Sequence, residues 1–176
     1  LKERDIHATF FLVGENVEQN PEIARRIVEE GHTIGIHSNS HNYEEIYADA
    51  DSFIQDFEEA HQTIYEVTGV DAKLFRFPGG SVNVYNEKVN EDIIEKMTER
   101  GYIYYDWNAS LEDAAVDMTP EELVSNGVST TLGRQKVVML AHDVVYNTGV
   151  CLEELLDSLP EYEMKALNEE VEPVQF

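Results

Sequence analysis

Short apolar runs rich in β-branched and aromatic residues alternate with amphipathic stretches of helical length along this whole chain, and glycine or proline marks most of the changeovers. That rhythm constrains the fold more than any single residue does. Strands separated by helices pair in parallel, and the helices then cover the faces of the resulting sheet. Residues 7–13 read as a buried strand. Asn20 with Pro21 sets an N-cap followed by proline at the first helical position, and that helix runs to Gly31 as its stop. Residues 33–37 form the next strand, 49–68 a long helix closed by Gly69, and 73–77 a third strand. Residues 86–100 are helical, with Ile93, Ile94 and Met97 at core spacing and Gly101 as the stop. A strand over 102–107, a helix opened by the capping box at Thr119-Pro120-Glu121-Glu122 and a strand over 136–141 follow. A helix near 151–159 and a terminal strand near 164–167 complete the pattern, which contains no internal repeat, linker or low-complexity tract. An open doubly wound sheet and a β/α barrel both satisfy it, and in either one ligands gather at the carboxyl ends of the strands.

Composition narrows the partners. With 176 residues, 42% of them apolar, the chain is long enough to bury a core as one domain. Twelve basic against 36 acidic residues give a net charge of -24, which repels nucleic-acid phosphates and anionic lipid surfaces. Many acids fall in pairs on helix faces, such as Glu29-Glu30 and Glu153-Glu154, where they make a solvated surface. The single cysteine, Cys151, excludes an internal disulfide and a cysteine-rich zinc site, and it reads as a packed thiol beside Leu152, Leu155 and Leu156. No apolar run reaches the ~18 residues of a membrane span. No signal peptide opens the chain, and Leu1-Lys2-Glu3-Arg4-Asp5 reads as the end of a helix that begins upstream.

The polar groups that follow successive strands form a coherent set: His37 and His41, then Arg76 with Pro78-Gly79-Gly80, then Asn108, Ser110 and Asp113, then His142 and Asp143. Two imidazoles four residues apart share one face of a helical turn, and neutral imidazole suits zinc and its first-row neighbours. Two nitrogens alone make a weak site. His7, His32 and His61 lie at strand entries or on a helix face and read as structural. Tyr102, Tyr104, Tyr105 and Trp107 read as strand packing.

In order and type these motifs resemble the NodB-type polysaccharide deacetylases, carbohydrate esterase family 4. Ala8-Thr9-Phe10-Phe11-Leu12-Val13-Gly14 is similar to that family's second strand, and the run from Gly31 to His41 to its metal-binding motif. Arg76-Phe77-Pro78-Gly79-Gly80 resembles the arginine-proline motif, the run from Asp106 to Asp113 the aspartate motif, and Leu140-Ala141-His142 the leucine-histidine motif. The resemblance implies a distorted β/α barrel, the NodB homology domain, covering residues 1–176 but incomplete at the N-terminus. It also implies a metal-dependent hydrolase that removes acetyl groups from N-acetylated sugars of a polysaccharide, peptidoglycan or a chitin-like glycan.

Position by position, the resemblance implies that His37 and His41 hold zinc, with cobalt or nickel as alternatives, and that the metal-bound water attacks the acetyl carbonyl. Gly79 supplies a backbone N–H to the oxyanion. His142 is the general acid and Asp113 orients it. Leu140 lines the acetyl pocket, and Arg76 orients the catalytic base. That base and the third protein ligand of the metal lie in the family on a paired-aspartate strand upstream of residue 8, which this sequence does not include. Ser110 and Ala114 stand where many members carry aspartate and tryptophan. The resemblance accordingly implies weak or no activity for these 176 residues alone, and an exposed sheet edge open to homodimer formation by strand pairing. It places the protein outside the cell or at the cell wall. A non-catalytic glycan-binding domain and a small-amide hydrolase are the competing readings.

Overall fold

A computed structural model describes residues 1–114 and 116–176. They form two compact units, Leu1–Asp106 with Met164–Phe176 and Trp107–Glu163.

In the first unit, β1 (Thr9–Val13), β2 (Thr33–Ser38), β3 (Leu74–Phe75) and β4 (Ile103–Tyr104) make a parallel sheet in that spatial order. The intervening helices are α1 (Gly14–Gln19), α2 (Pro21–Glu29), α3 (Tyr43–Ile46), α4 (Ala50–Thr68) and α5 (Asn90–Glu99). Helix α4 presents Phe53, Phe57, Ala60 and Ile64 at three- and four-residue spacing, so all four fall on one face and are buried with Ile34, Ile36, Phe75 and Phe77. Both ends are sealed: the Asp49 carboxylate accepts from the Ser52 N–H, and Gly69, the predicted stop, takes the left-handed conformation with φ 75°.

Strands β1 and β2 pair in register from Thr9–Thr33 to Leu12–Ile36, after which Val13 pairs with Ser38. The register shift leaves His37 as the additional residue of β2, and such bulges re-aim a side chain at the end of a ladder.

The second unit pairs β5 (Ala109–Ser110) in parallel with β6 (Met139–Leu140), flanked by α6 (Pro120–Thr131) and α7 (Tyr146–Asp157). The capping box forms as predicted: Thr119 Oγ1 accepts from the Glu122 N–H, and the Glu122 carboxylate accepts from the Thr119 N–H. Gly127 of α6 lies where a Cβ would come within 2.5 Å of Leu155 and 2.8 Å of Leu111, so only glycine admits this packing.

The parallel α/β architecture follows from the alternation, while several boundaries depart from it. The hydrogen-bonded ladders among the described residues are open, which agrees with the expected distorted β/α barrel. β3 and β4 are two residues long where longer strands were predicted. Helix α5 starts at Asn90 because the amide of Asn86 is engaged in the preceding loop, accepting from the Asn83 N–H and donating to Gly80 O. Asn20 precedes α2, yet its side chain donates backward to Asn16 O, closing the unforeseen α1. Residues 164–167 form no strand: Leu167 N–H bonds the Thr9 side-chain hydroxyl, which offers no ladder to extend. The pair β5 and β6 includes a strand at 109–110 that its flanking polar residues concealed.

Candidate functional site

The first unit carries the two histidines. His37 leaves the end of β2 at the bulge, and its Nδ1 lies 2.8 Å from Arg76 O. A carbonyl oxygen only accepts, so Nδ1 carries the proton of that bond, and in the neutral ring the lone pair then falls on Nε2, the tautomer a metal-binding imidazole needs. His41 is not on a helix, contrary to the four-residue spacing argument. It sits in the bend after β2 with φ 55°, and this left-handed turn brings its ring centroid to 5.0 Å from that of His37. A non-glycine residue in that region is strained unless its surroundings fix it. Two anchors do so here. The His41 N–H donates to Ser38 Oγ at 2.6 Å, and the carboxylate of Asp56 on α4 accepts from Asn39 N–H at 2.7 Å, Ser40 N–H at 2.9 Å and Ser40 Oγ at 2.7 Å.

Asp56, whose carboxylate shapes the turn at His41, is not singled out by the sequence. It reads there as one more acid on a helix face. The signal was its neighbourhood: on the side of α4 that buries Phe53 and Phe57, an acid needs donors, and the loop of asparagine and serine supplies them.

Arg76 is buried at 8% exposure. Its Nε donates to Tyr105 O at 3.0 Å, and its guanidinium lies 4.3 Å from the Phe11 ring centroid. Burial lowers its pKa to about 10, an effect partly opposed by the charge of Asp106, so it stays protonated at neutral pH. The carboxylate of Asp106 in turn accepts from Ser81 N–H, Ser81 Oγ and Phe176 N–H. The Pro78-Gly79 turn that follows is pinned by the buried Tyr47, whose hydroxyl donates to Pro78 O at 2.7 Å. Gly79 has φ 76°, and a Cβ there would meet the Tyr43 ring at 2.9 Å, so both backbone and space demand glycine.

The second unit carries an acid–imidazole pair. The Asp113 side chain is fully buried, and His142 is about two-fifths exposed. One carboxylate oxygen lies 2.8 Å from His142 Nδ1, and the other accepts from His142 N–H and Thr148 Oγ1, both at 2.7 Å. Burial pushes the Asp113 carboxyl up, but the hydrogen bonds from the His142 ring, Thr148 and the His142 backbone outweigh it and hold the group below the ordinary carboxylate range. With Nδ1 turned to Asp113, Nε2 is the other nitrogen of the His142 ring. Thr148 was not singled out in the sequence, where a threonine inside an apolar helix carries no signal of its own. Leu140 lies on β6, paired with Ser110. The side chain of Asn108 bridges Lys136 O and Val138 N–H, a structural bond.

Of the residues singled out, His37, His41, Arg76 and Gly79 belong to the first unit and Asp113, Leu140 and His142 to the second. Among the described residues no group of three or more His, Cys, Asp or Glu side chains is arranged to hold a metal, so His37 and His41 constitute a two-nitrogen donor pair. The His7 and His32 rings pack edge to face with centroids 5.9 Å apart, His32 Nδ1 accepts from Ala8 N–H, and burial lowers the His32 pKa. His61 pairs with Asp71 at 2.9 Å.

Comparison with known proteins bears on these motifs together. A family model described as polysaccharide deacetylase matches residues 1–104. A peptidoglycan-N-acetylglucosamine deacetylase of Bacillus cereus is 31% identical over 183 residues; the match covers all of this chain, which spans 65% of that relative's length. Among solved structures, the catalytic domain of a peptidoglycan N-acetylglucosamine deacetylase from Eubacterium rectale superposes with a TM-score of 0.94 at 28% identity, covering 100% of this chain and 83% of that one. A polysaccharide deacetylase from Bacillus cereus superposes with a TM-score of 0.85 at 31% identity, covering 100% and 86%. No described helix is long and apolar enough to cross a membrane. On the family match and these likenesses, the chain belongs to the polysaccharide deacetylase family.

Proposed function

We propose that the protein is a metal-dependent deacetylase of N-acetylglucosamine residues in a cell-wall glycan, peptidoglycan in the first instance, acting outside the cell or at the wall, and that residues 1–176 belong to a single deacetylase domain. The observation that carries the reading is the pairing of two imidazoles at the end of β2, with His37 Nδ1 held by Arg76 O and the ring centroids of His37 and His41 5.0 Å apart. Both imidazoles suit zinc, with cobalt or nickel as substitutes, and would hold it through their ring nitrogens. When bound, the metal polarises the acetyl carbonyl and lowers the pKa of water.

The protein's own groups do the rest. The loop clamped by Asp56 and Ser38 fixes the His41 direction. The Gly79 N–H, on a turn kept narrow by the missing Cβ, donates to the negative charge that develops on the acetyl oxygen. His142 Nε2 delivers a proton to the departing sugar nitrogen, and Asp113 keeps the ring in the tautomer that permits it. Buried Arg76 supplies a fixed positive charge that orients a carboxylate base. Leu140 offers an apolar wall for the acetyl methyl group.

Acetate release from N-acetylglucosamine oligomers by the full-length protein tests this function. Release is expected to require added divalent metal and to fall at least about a hundredfold in His142→Ala. Release from small cyclic amides with none from the oligomers would instead favour the amide-hydrolase reading.

A further inference from the structure

The loop that follows the arginine-proline motif exposes apolar side chains that the fold does not use. Val82 is 67% exposed, Val84 84% and Tyr85 54%. Exposed apolar groups on a floppy loop collapse inward, but these cannot. The Asn83 amide donates to Pro78 O and Gly80 O, its carbonyl accepts from the N–H groups of Tyr85 and Asn86, and the fully buried Asn86 amide donates to Gly80 O. The loop is thus built rigid and holds its apolar groups outward at no benefit to the core.

Its position is informative. The Tyr85 ring lies 4.9 Å from that of Tyr43, and Tyr43 lies edge-on to His41 at 5.3 Å and is the ring that would meet a Cβ on Gly79. The platform is therefore continuous with the histidine pair and the Gly79 turn. The segment from Ser81 to Asn86 also contains no charged residue, in a chain of net charge -24. An uncharged, hydrogen-bonding occupant with an apolar face suits it, as a hexose ring does; a cationic partner would find its charge elsewhere on this surface.

We propose that Val82, Val84 and Tyr85 form a stacking platform for a sugar ring of the glycan that neighbours the acetylated residue, so that the protein selects a polymer over a single sugar. The proposal rests on the deacetylase reading above. Chitin-type N-acetylglucosamine oligomers of one to five units are titrated into the full-length protein by calorimetry, with wild type, Tyr85→Ala, Tyr85→Trp and Val84→Ser compared after thermal melts show that each is folded. Tyr85→Ala is expected to lower the ratio of pentamer to monosaccharide affinity about tenfold, Val84→Ser to lower it less, and Tyr85→Trp to keep it. An unchanged ratio in Tyr85→Ala, with wild type binding the pentamer, overturns the platform and leaves the deacetylase reading standing. Failure of wild type to bind any oligomer overturns both, and preference of the platform for a protein or lipid partner would appear as that result.

Discussion

The histidine pair of the first unit and the histidine of the second are held by opposite means. His142 is fixed directly, by a buried carboxylate that contacts its ring, its backbone and Thr148 at once. His37 and His41 are fixed indirectly, one by a backbone carbonyl and the other by a strained turn that Ser38 and Asp56 tie down. The difference fits the tasks proposed for them. An imidazole that moves a proton is set in its tautomer by the partner on its other nitrogen, and an imidazole that binds a cation likewise has its other nitrogen engaged, here by a backbone carbonyl for His37. The first unit should then be vulnerable through its loop and the second through its charge.

The largest effect should come from the charge-held side. Removing the ring in His142→Ala is expected to slow acetate release by about 10²–10⁴-fold with little change in metal affinity, as measured by turnover and zinc titration. A variant that lost metal as well would collapse the distinction between the two regions.

The loop-held side is probed by Asp56→Ala, which touches neither imidazole. Three hydrogen bonds to Asn39 and Ser40 disappear, and metal affinity is expected to fall about 10- to 100-fold while far-UV dichroism stays native. If affinity is unchanged, the turn at His41 does not depend on its clamp.

Asp113 sharpens the contrast through pH. Its folded pKa lies below the ordinary value of 3.8, so its ionisation stabilises the fold above that value, and the contribution is lost as pH falls through the lower folded pKa. Thermal melts should show Asp113→Asn less stable than wild type by about 1–3 kcal/mol at pH 7, with the gap narrowing below pH ~3.8. A gap that widens in acid would reverse the sign of the argument.

The smallest effect is expected for Gly79→Ala. The positive φ of 76° and the Tyr43 ring at 2.9 Å together cost about 1–2 kcal/mol in the turn, read as a lowered melting temperature.

Much of this was legible before the fold. The ends of α4, the capping box of α6 and the glycine at position 79 are local chemistry written in adjacent residues, and the motifs around His37, Arg76, Asp113 and His142 stand in family order. What stayed hidden depends on distant neighbours. Asp56 acts only because the bend at 39–40 turns its N–H groups toward α4, and Thr148 only because α7 begins at Tyr146, before the apolar run that marks it. The bulge that isolates His37 is a relation between two strands, invisible in either one. The spacing of His37 and His41 suggested a shared helical face, but a strand end followed by a left-handed turn brings the rings together instead. Strand lengths were overread because apolar content continues past the last ladder bond into the core.

The account stands most directly on metal-dependent acetate release from N-acetylglucosamine pentamers by the full-length protein, assayed with chelator, with added zinc or cobalt, and in the His37→Ala, His41→Ala double variant. It predicts release that chelator removes, metal restores and the double substitution abolishes. Release that persists in the double variant, or that ignores the chelator, would contradict it.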